Sequence, residues 1–388
     1  MKIRLPRIAW LLLAGLTSGG ILGIALALTL SPGDPPIPTA ERAAAGLPQI
    51  GPDETSAEFP VYLANLSLPP GDIAIDNQGS LWVPLFTGSD SGHELVRFDY
   101  ESGNMKTYPL PESPASNLFG FIEVRSDGQI ILSYGSVVTR FDPVSEIFIS
   151  VSLPSADNLD ELLLPAEGTW VTDLSLGASD EAYVSRMNIS AIAKVDTSSM
   201  KVLEQIPVPR DFGPVYGLEA TPEGLYITNW IGTEKSGARV ALISDGTYQE
   251  LPGSAAEIFG LGDSVVVAGT DDVLRFTDKS LQVAQKETTV AGSGAIYRVA
   301  ASDDRVWIAG RDAGVILEFT RSGDLIAEHA LPSEVIPGES ISCPWGIECE
   351  DVVISRTRVE GLAVAPDGTL YFSDGNHNRI GVLHPTLP

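Results

Sequence analysis

The sequence predicts an all-β fold: a seven-bladed β-propeller of four-stranded antiparallel blades, occupying residues 57–388. Two observations carry this expectation. A tripeptide ending in proline closes one apolar run after another, as SLP at Ser67–Pro69, PLP at Pro109–Pro111, SLP at Ser152–Pro154, PVP at Pro207–Pro209, ELP at Glu250–Pro252 and ALP at Ala330–Pro332. Proline has no N–H to give a ladder, so each marks the end of an outer strand where the chain leaves its sheet. The second observation is a short turn after each inner apolar run, as DNQG from Asp76, SDGQ from Ser126, TPEG from Thr221, SDDR from Ser302 and PDG from Pro366. Their spacing falls near multiples of about 40–50 residues, the period of a propeller blade.

In chain order, Lys2, Arg4 and Arg7 precede an uncharged run from Ile8 to Leu30. That length suits a membrane-spanning helix, and the basic residues before it predict a cytoplasmic N-terminus with an extracytoplasmic body. Two fates fit residues 1–30: a signal anchor, or a signal peptide cut after Ala25-Leu26-Ala27, which would leave the body secreted. Residues 31–56 are rich in proline and lack apolar periodicity, as a semi-extended linker would.

Inner strands are expected to begin near residues 71, 119, 171, 215, 256, 296 and 359. A second strand such as SLWVP, LYITN, RVWIA or TLYFS follows each turn, and Trp82, Trp170 and Trp307 on or beside these strands are expected to pack between blades. The last unit, VEGLAVAPDGTLYFSDGNHNRIGVL from Val359, has three strands only, while AEFPVYLANLSLP at 57–69 is an outer strand with no blade before it. The early strand is therefore expected to complete the last sheet and close the ring, which also protects exposed strand edges.

Between Pro332 and Val359 lies an insertion, 333–358, which carries Cys343 and Cys349 in CPWGIEC. In an oxidising compartment this spacing suits a small disulfide-closed loop; a pair of free thiols is the alternative, since no other cysteine is present to complete a zinc site. The loop joins an outer strand to the next inner strand, so it is expected over the propeller mouth as a lid or partner-binding element with Trp345 near its tip.

The net charge of -27, from 51 acidic and 24 basic residues, opposes binding of nucleic acid or anionic lipid headgroups. No GxSxG elbow, phosphate-binding glycine loop or HExxH helix occurs.

The recurring inner strand, PDG-type turn, LYF or LWV strand and TYPLP ending resemble the repeats of streptogramin (virginiamycin B) lyases, and more broadly NHL-repeat and SMP-30/gluconolactonase-type propellers. For the lyases the resemblance implies a histidine at an inner-strand start and an acid after the next strand, acting with magnesium. Those positions here are Glu360 and Asp374, so a glutamate stands in the place of the histidine. SMP-30-type lactonases imply glutamate, asparagine and aspartate around a divalent cation; Glu360 matches one ligand, Tyr216 stands where asparagine is wanted, and Asn229 is a neighbouring substitute.

Inner-strand starts and the loops between second and third strands converge on one mouth of a propeller channel. The candidates by position are Glu360, Asp374, Asn376, His377 and Arg379; Tyr216, Asn229 and Trp230; Glu257; Tyr297, Arg311 and Asp312; and Asp90 and His93. Glu360, Asp374 and His377 are the catalytic candidates. Tyr216, Asn229, Trp230, Tyr297, Arg311 and Trp345 are candidates for ligand binding, Trp230 as an aromatic platform. Calcium or magnesium would draw on the oxygens of Glu360, Glu257, Asp374 and Asn229. DGNHN at 374–378 is also ordinary hairpin-turn chemistry. The functional expectation is a tethered propeller that binds a ligand or protein partner at its mouth, with a divalent-metal-dependent lyase or lactonase as the alternative.

Overall fold

Successive side chains of a strand point to opposite faces of its sheet, and in strands such as LWVPL at 81–85 and IILSY at 130–134 every residue is buried. A sheet made of such strands needs cover on both faces, and seven sheets in a ring supply it for one another. In the computed structural model the described residues are 61–86, 92–99, 102–112, 120–154, 171–179, 181–186, 191–229, 239–251, 257–262, 264–268, 273–279, 284–289, 297–310, 314–331 and 357–384, all within the unit Ser56–Pro388. The N-terminal uncharged run, the linker, and the insertion with Cys343, Trp345 and Cys349 lie outside them. Among the described residues no helix is long and apolar enough to cross a membrane.

The first strand, β1 (Val61–Asn65), precedes six consecutive four-stranded units. These are β2 (Ala74–Ile75), β3 (Leu81–Leu85), β4 (Glu94–Asp99) and β5 (Asn104–Pro109); β6 (Gly120–Val124), β7 (Ile130–Tyr134), β8 (Val137–Asp142) and β9 (Ile147–Ser152); and β10 (Val171–Leu176), β11 (Glu181–Arg186), β12 (Ala191–Asp196) and β13 (Lys201–Pro207). Then come β14 (Val215–Thr221), β15 (Gly224–Asn229), β16 (Val240–Ser244) and β17 (Thr247–Leu251); β18 (Glu257–Gly260), β19 (Ser264–Ala268), β20 (Val273–Asp278) and β21 (Ala284–Thr289); and β22 (Tyr297–Ala301), β23 (Arg305–Gly310), β24 (Val315–Thr320) and β25 (Leu325–Ala330). The last three strands are β26 (Val359–Val364), β27 (Leu370–Asp374) and β28 (Arg379–Leu383), in a sheet ordered β1-β28-β27-β26. Seven four-stranded antiparallel blades result, as the repeat predicts. Inner strands start within a residue of the expected positions, except that β2 opens at Ala74 because Pro70 makes an isolated bridge to Leu85 first.

Seven apolar clusters hold the ring, one for each pair of neighbouring blades. Trp82 fills the layer between the first two blades beside Tyr108 and Phe141, and Trp307 fills the layer between the last two; Trp170 lies outside the described residues. The cluster that spans the two ends of the chain joins Leu66, Ile73, Val83 and Phe98 to Ala363, Tyr371, Ile380 and Val382. Alongside it, Val61 pairs with Val382 and Asn65 with Arg379, Leu66 N donates to Asn378 O at 2.7 Å, and Ser373 Oγ donates to Gly71 O at 2.7 Å.

Local chemistry explains the repeated punctuation. Leu110, Leu153 and Leu331 each give a last ladder N–H to His93 O, Ser136 O and Gly314 O at 2.8–2.9 Å. The proline that follows has no N–H to give, and the chain departs. In the inner turns an aspartate caps the backbone while glycine takes a positive φ: Asp76 Oδ1 accepts from Gln78 N and Ser80 N at 2.9 Å, and Gly79 sits at φ 82.

The first and last inner strands approach closely at Gly361. A Cβ on Gly361 would lie 2.5 Å from Asp72 Oδ1, 2.6 Å from Ile73 N and 2.8 Å from Asp72 Cα. Backbone cannot yield as a flexible side chain does, so Gly361→Ala is expected to destabilise the fold by about 1–3 kcal/mol. Urea unfolding followed by tryptophan fluorescence measures it; an unchanged midpoint would show that the first and last inner strands are farther apart than described.

Candidate functional site

Pairing of Val215 with Asn229, Tyr297 with Gly310 and Val359 with Asp374 sets first-strand starts beside second-strand ends at one mouth. From that mouth inward the axis is lined by Asp72, just before β2, with Glu123 on β6, Asp173 on β10, Tyr216 and Glu219 on β14, Glu257 on β18, Arg298 on β22 and Glu360 on β26. These groups act on one another across the ring, since the charge of Arg298 reaches Asp72, Asp173 and Tyr216 on three other blades.

Arg298 is the organising cation. Nη1 donates to Glu257 Oε1 at 2.8 Å and Nε to Glu360 O at 2.6 Å, and the guanidinium lies 5.9 Å from the Phe121 ring centroid. Burial works against its charge, yet Glu257, Tyr216, Asp72 and Glu360 together hold its pKa above the ordinary arginine value. Arg358 Nε adds a 2.8 Å ion pair with Glu360 Oε1.

The carboxylates also stitch neighbouring blades. Asp72 accepts from Ile73 N and from Ile122 N of the next blade; Asp173 Oδ2 accepts from Leu218 N at 2.8 Å; and Glu219 accepts from Gly260 N. Burial raises Asp72 to about 6, with Arg298 opposing and Glu360 assisting. Asp173 is pushed well above the carboxylate range by burial and then by Glu257. Glu123 rises to about 8 through burial and the negative charges of Asp72 and Glu219, and Glu219 to about 8 through burial and Asp173. Burial, reinforced by Glu257, also raises the Tyr216 phenol.

The catalytic candidates lie together. Asp374 Oδ2 meets His377 Nδ1 at 2.6 Å, and a Cβ on Gly375, between them, would come 3.0 Å from Glu360 Oε1. Asp374 Oδ1 accepts from Arg358 N and Asn376 N at 3.2 and 3.1 Å, so its carboxylate also caps the hairpin turn. The oxygens expected to bind calcium or magnesium have separate employment. Asn229 donates to Phe212 O and accepts from Arg239 N, Asp374 is engaged as described, and Glu257 holds Arg298. Among the described residues no group of three or more His, Cys, Asp or Glu is placed to hold a metal ion, and no metal-dependent step is derived.

Tyr216 does face the axis with Glu257 and Glu360; Tyr297 opens β22; and Arg379 opens β28 opposite Asn65. His93 is buried, its ring against those of Phe86 and Tyr134. Asp90, Trp230, Arg311, Asp312 and Trp345 lie outside the described residues. The sequence reading missed Asp72, Glu123, Asp173, Glu219 and Arg298; their signal is a charged residue within or just before an otherwise apolar inner strand, as in GDIAI, GFIEV and YRVAA.

No protein-family profile matches the chain, and no curated protein matches it in sequence. Solved structures with the same fold include a streptogramin B lyase, at 16% identity and TM-score 0.61 over 84% of this chain and 97% of that one. A catalytically inactive histidine-to-alanine variant of virginiamycin B lyase from Staphylococcus aureus, with quinupristin, is similar at 15% identity and TM-score 0.62 over 84% and 98%. The WD40 repeats of RRP9 are similar at 12% identity and TM-score 0.59 over 84% and 97%. The fold is thus a streptogramin-lyase-like β-propeller, shared with a protein of another kind.

Arg298→Met would leave Glu257, Asp72 and Asp173 facing one another without their cation, and is expected to cost about 3 kcal/mol of stability. Adding Glu257→Gln should recover part of that loss. Chemical denaturation of both variants checks this; a double variant no more stable than the single one would contradict the pairing.

Proposed function

We propose that this chain is an exported propeller, tethered to a membrane by its N-terminal uncharged run, whose mouth binds a small molecule or a protein partner. The observation that carries the binding reading is the placement of the histidines. His93 is buried just before β4 and His329 on the outer strand β25, His377 lies in the turn between β27 and β28, and His384 is exposed just after β28. None of the four lies on an inner strand, where the resemblance to streptogramin lyases would put a catalytic histidine. What faces the axis instead is a polar lining drawn from seven blades, suited to recognition. Pairing of β1 with the last sheet is proposed as the clasp that keeps this lining in register.

A second reading, a lyase or lactonase, is favoured by one contact. Asp374 Oδ2 and His377 Nδ1 meet at 2.6 Å, the carboxylate–imidazole pairing that orients acid–base histidines, and Glu360 is close by.

The readings separate in three measurements. Cell fractionation should find the full-length chain in membranes and open to added protease from outside; a cytosolic pool would defeat the tether. A photo-crosslinking residue at exposed Asn376, beside the mouth, should capture a partner that the same residue at Glu204, on β13, does not; equal or absent capture at both would remove the mouth as the binding surface. Quinupristin with magnesium should return unchanged by mass spectrometry, whereas a ring-opened product that disappears in His377→Ala would put the second reading first.

A further inference from the structure

The axial carboxylates have a consequence beyond ligand recognition, and it stands whether or not the mouth binds a partner. We infer that they form a proton-dependent joint between blades, which tightens the ring in mildly acidic surroundings and loosens it in mildly alkaline ones. The geometry is that of an interface. Asp72 reaches from the first blade to the backbone of the second, Asp173 from the third to the fourth, and Glu219 from the fourth to the fifth. Each bond links inner strands that share no sheet ladder.

The groups facing this joint come from every blade: Asp72, Glu123, Asp173, Tyr216 with Glu219, Glu257, Arg298, and Glu360 with Arg358. Arg298 is committed to Glu257 and to the Glu360 carbonyl, and Arg358 to the Glu360 carboxylate. The charges acting on Glu123 are those of Asp72 and Glu219, both negative. The N–H groups bonded to Asp72 and Glu219 favour the ionised carboxylates, but burial and the neighbouring negative charges outweigh them, so full ionisation sets like charges against one another around the axis and protonation relieves the repulsion.

The sign follows from linkage. Carboxyls whose pKa is higher folded than unfolded, Glu123 and Glu219 at about 8 and Asp72 at about 6, make the folded state bind more protons than the unfolded one over that range. Stability is then greatest near the ordinary carboxylate pKa, about 4.5, and falls as pH rises toward about 8.

The test is urea unfolding of the full-length chain between pH 5 and pH 8, with Glu123→Gln/Glu219→Gln beside a control, Glu204→Gln/Glu328→Gln, that removes the same charge from exposed positions on β13 and β25. The midpoint of the unaltered chain should fall across this range. The axial variant should lose at least half of that fall, chiefly by gaining stability at pH 8, with each single substitution carrying part of the loss. The control should keep the full dependence. Equal slopes for axial and control variants would assign the effect to overall charge and overturn the joint, as would a midpoint that holds level or rises with pH. Should the double variant not fold, the single substitutions decide by the same criterion.

Discussion

Every blade has two apolar faces, and the one arrangement that buries all of them without an outer layer is a closed ring. An open row of seven would leave two faces bare, each with the burial value of a domain core. The cluster that joins Leu66, Ile73 and Val83 to Tyr371, Ile380 and Val382 therefore differs from the other six. Its halves lie at opposite ends of the sequence, and the chain entropy of bringing them together opposes their contact. The pairing of β1 with β28 adds a ladder at the same place, and in the proposed account it is the clasp on which the remaining geometry depends.

Closing a ring of strands at the axis forces backbones together, which explains the tight approach at Gly361, and it also gathers whatever side chains the inner strands carry. Here these are carboxylates around one arginine. Burial alone would make such a collection costly, and the structure offsets the cost by using Asp72, Asp173 and Glu219 as acceptors for the neighbouring blade's N–H groups. Polar residues at the axis are thus structural and available for recognition at once. The fold by itself specifies neither role, since a lyase and a WD40-repeat protein share it.

The architecture was legible because its determinants are local. A proline after the last ladder N–H ends an outer strand wherever it occurs, and an aspartate followed by a glycine of positive φ turns an inner strand into the next, so blade number and strand starts follow from spacing. The lining was less legible because it depends on phase. Inner strands shift register near their starts, between Val171 and Asp173, Val215 and Leu218, and Val359 and Gly361, and each shift changes which residue faces the axis. Tyr216, Glu257 and Glu360 were found from position alone. Arg298 and the deeper carboxylates were not, because a charged residue in an apolar run gives no sign of its cross-ring partners. Asn229 and Asp374 have the residue types of ligands in the sequence, and only the fold reveals the backbone groups they also cap.

The clasp is tested most directly by amide hydrogen exchange in β28, comparing the full-length chain with chains that begin at residue 57 and at residue 67. The account predicts that the chain starting at 57 protects Arg379–Leu383 as the full-length chain does, while the chain starting at 67 loses that protection and unfolds over a broader range of urea. Unchanged protection in the chain that lacks β1 would show that the seven blades hold together without it, and would contradict the account.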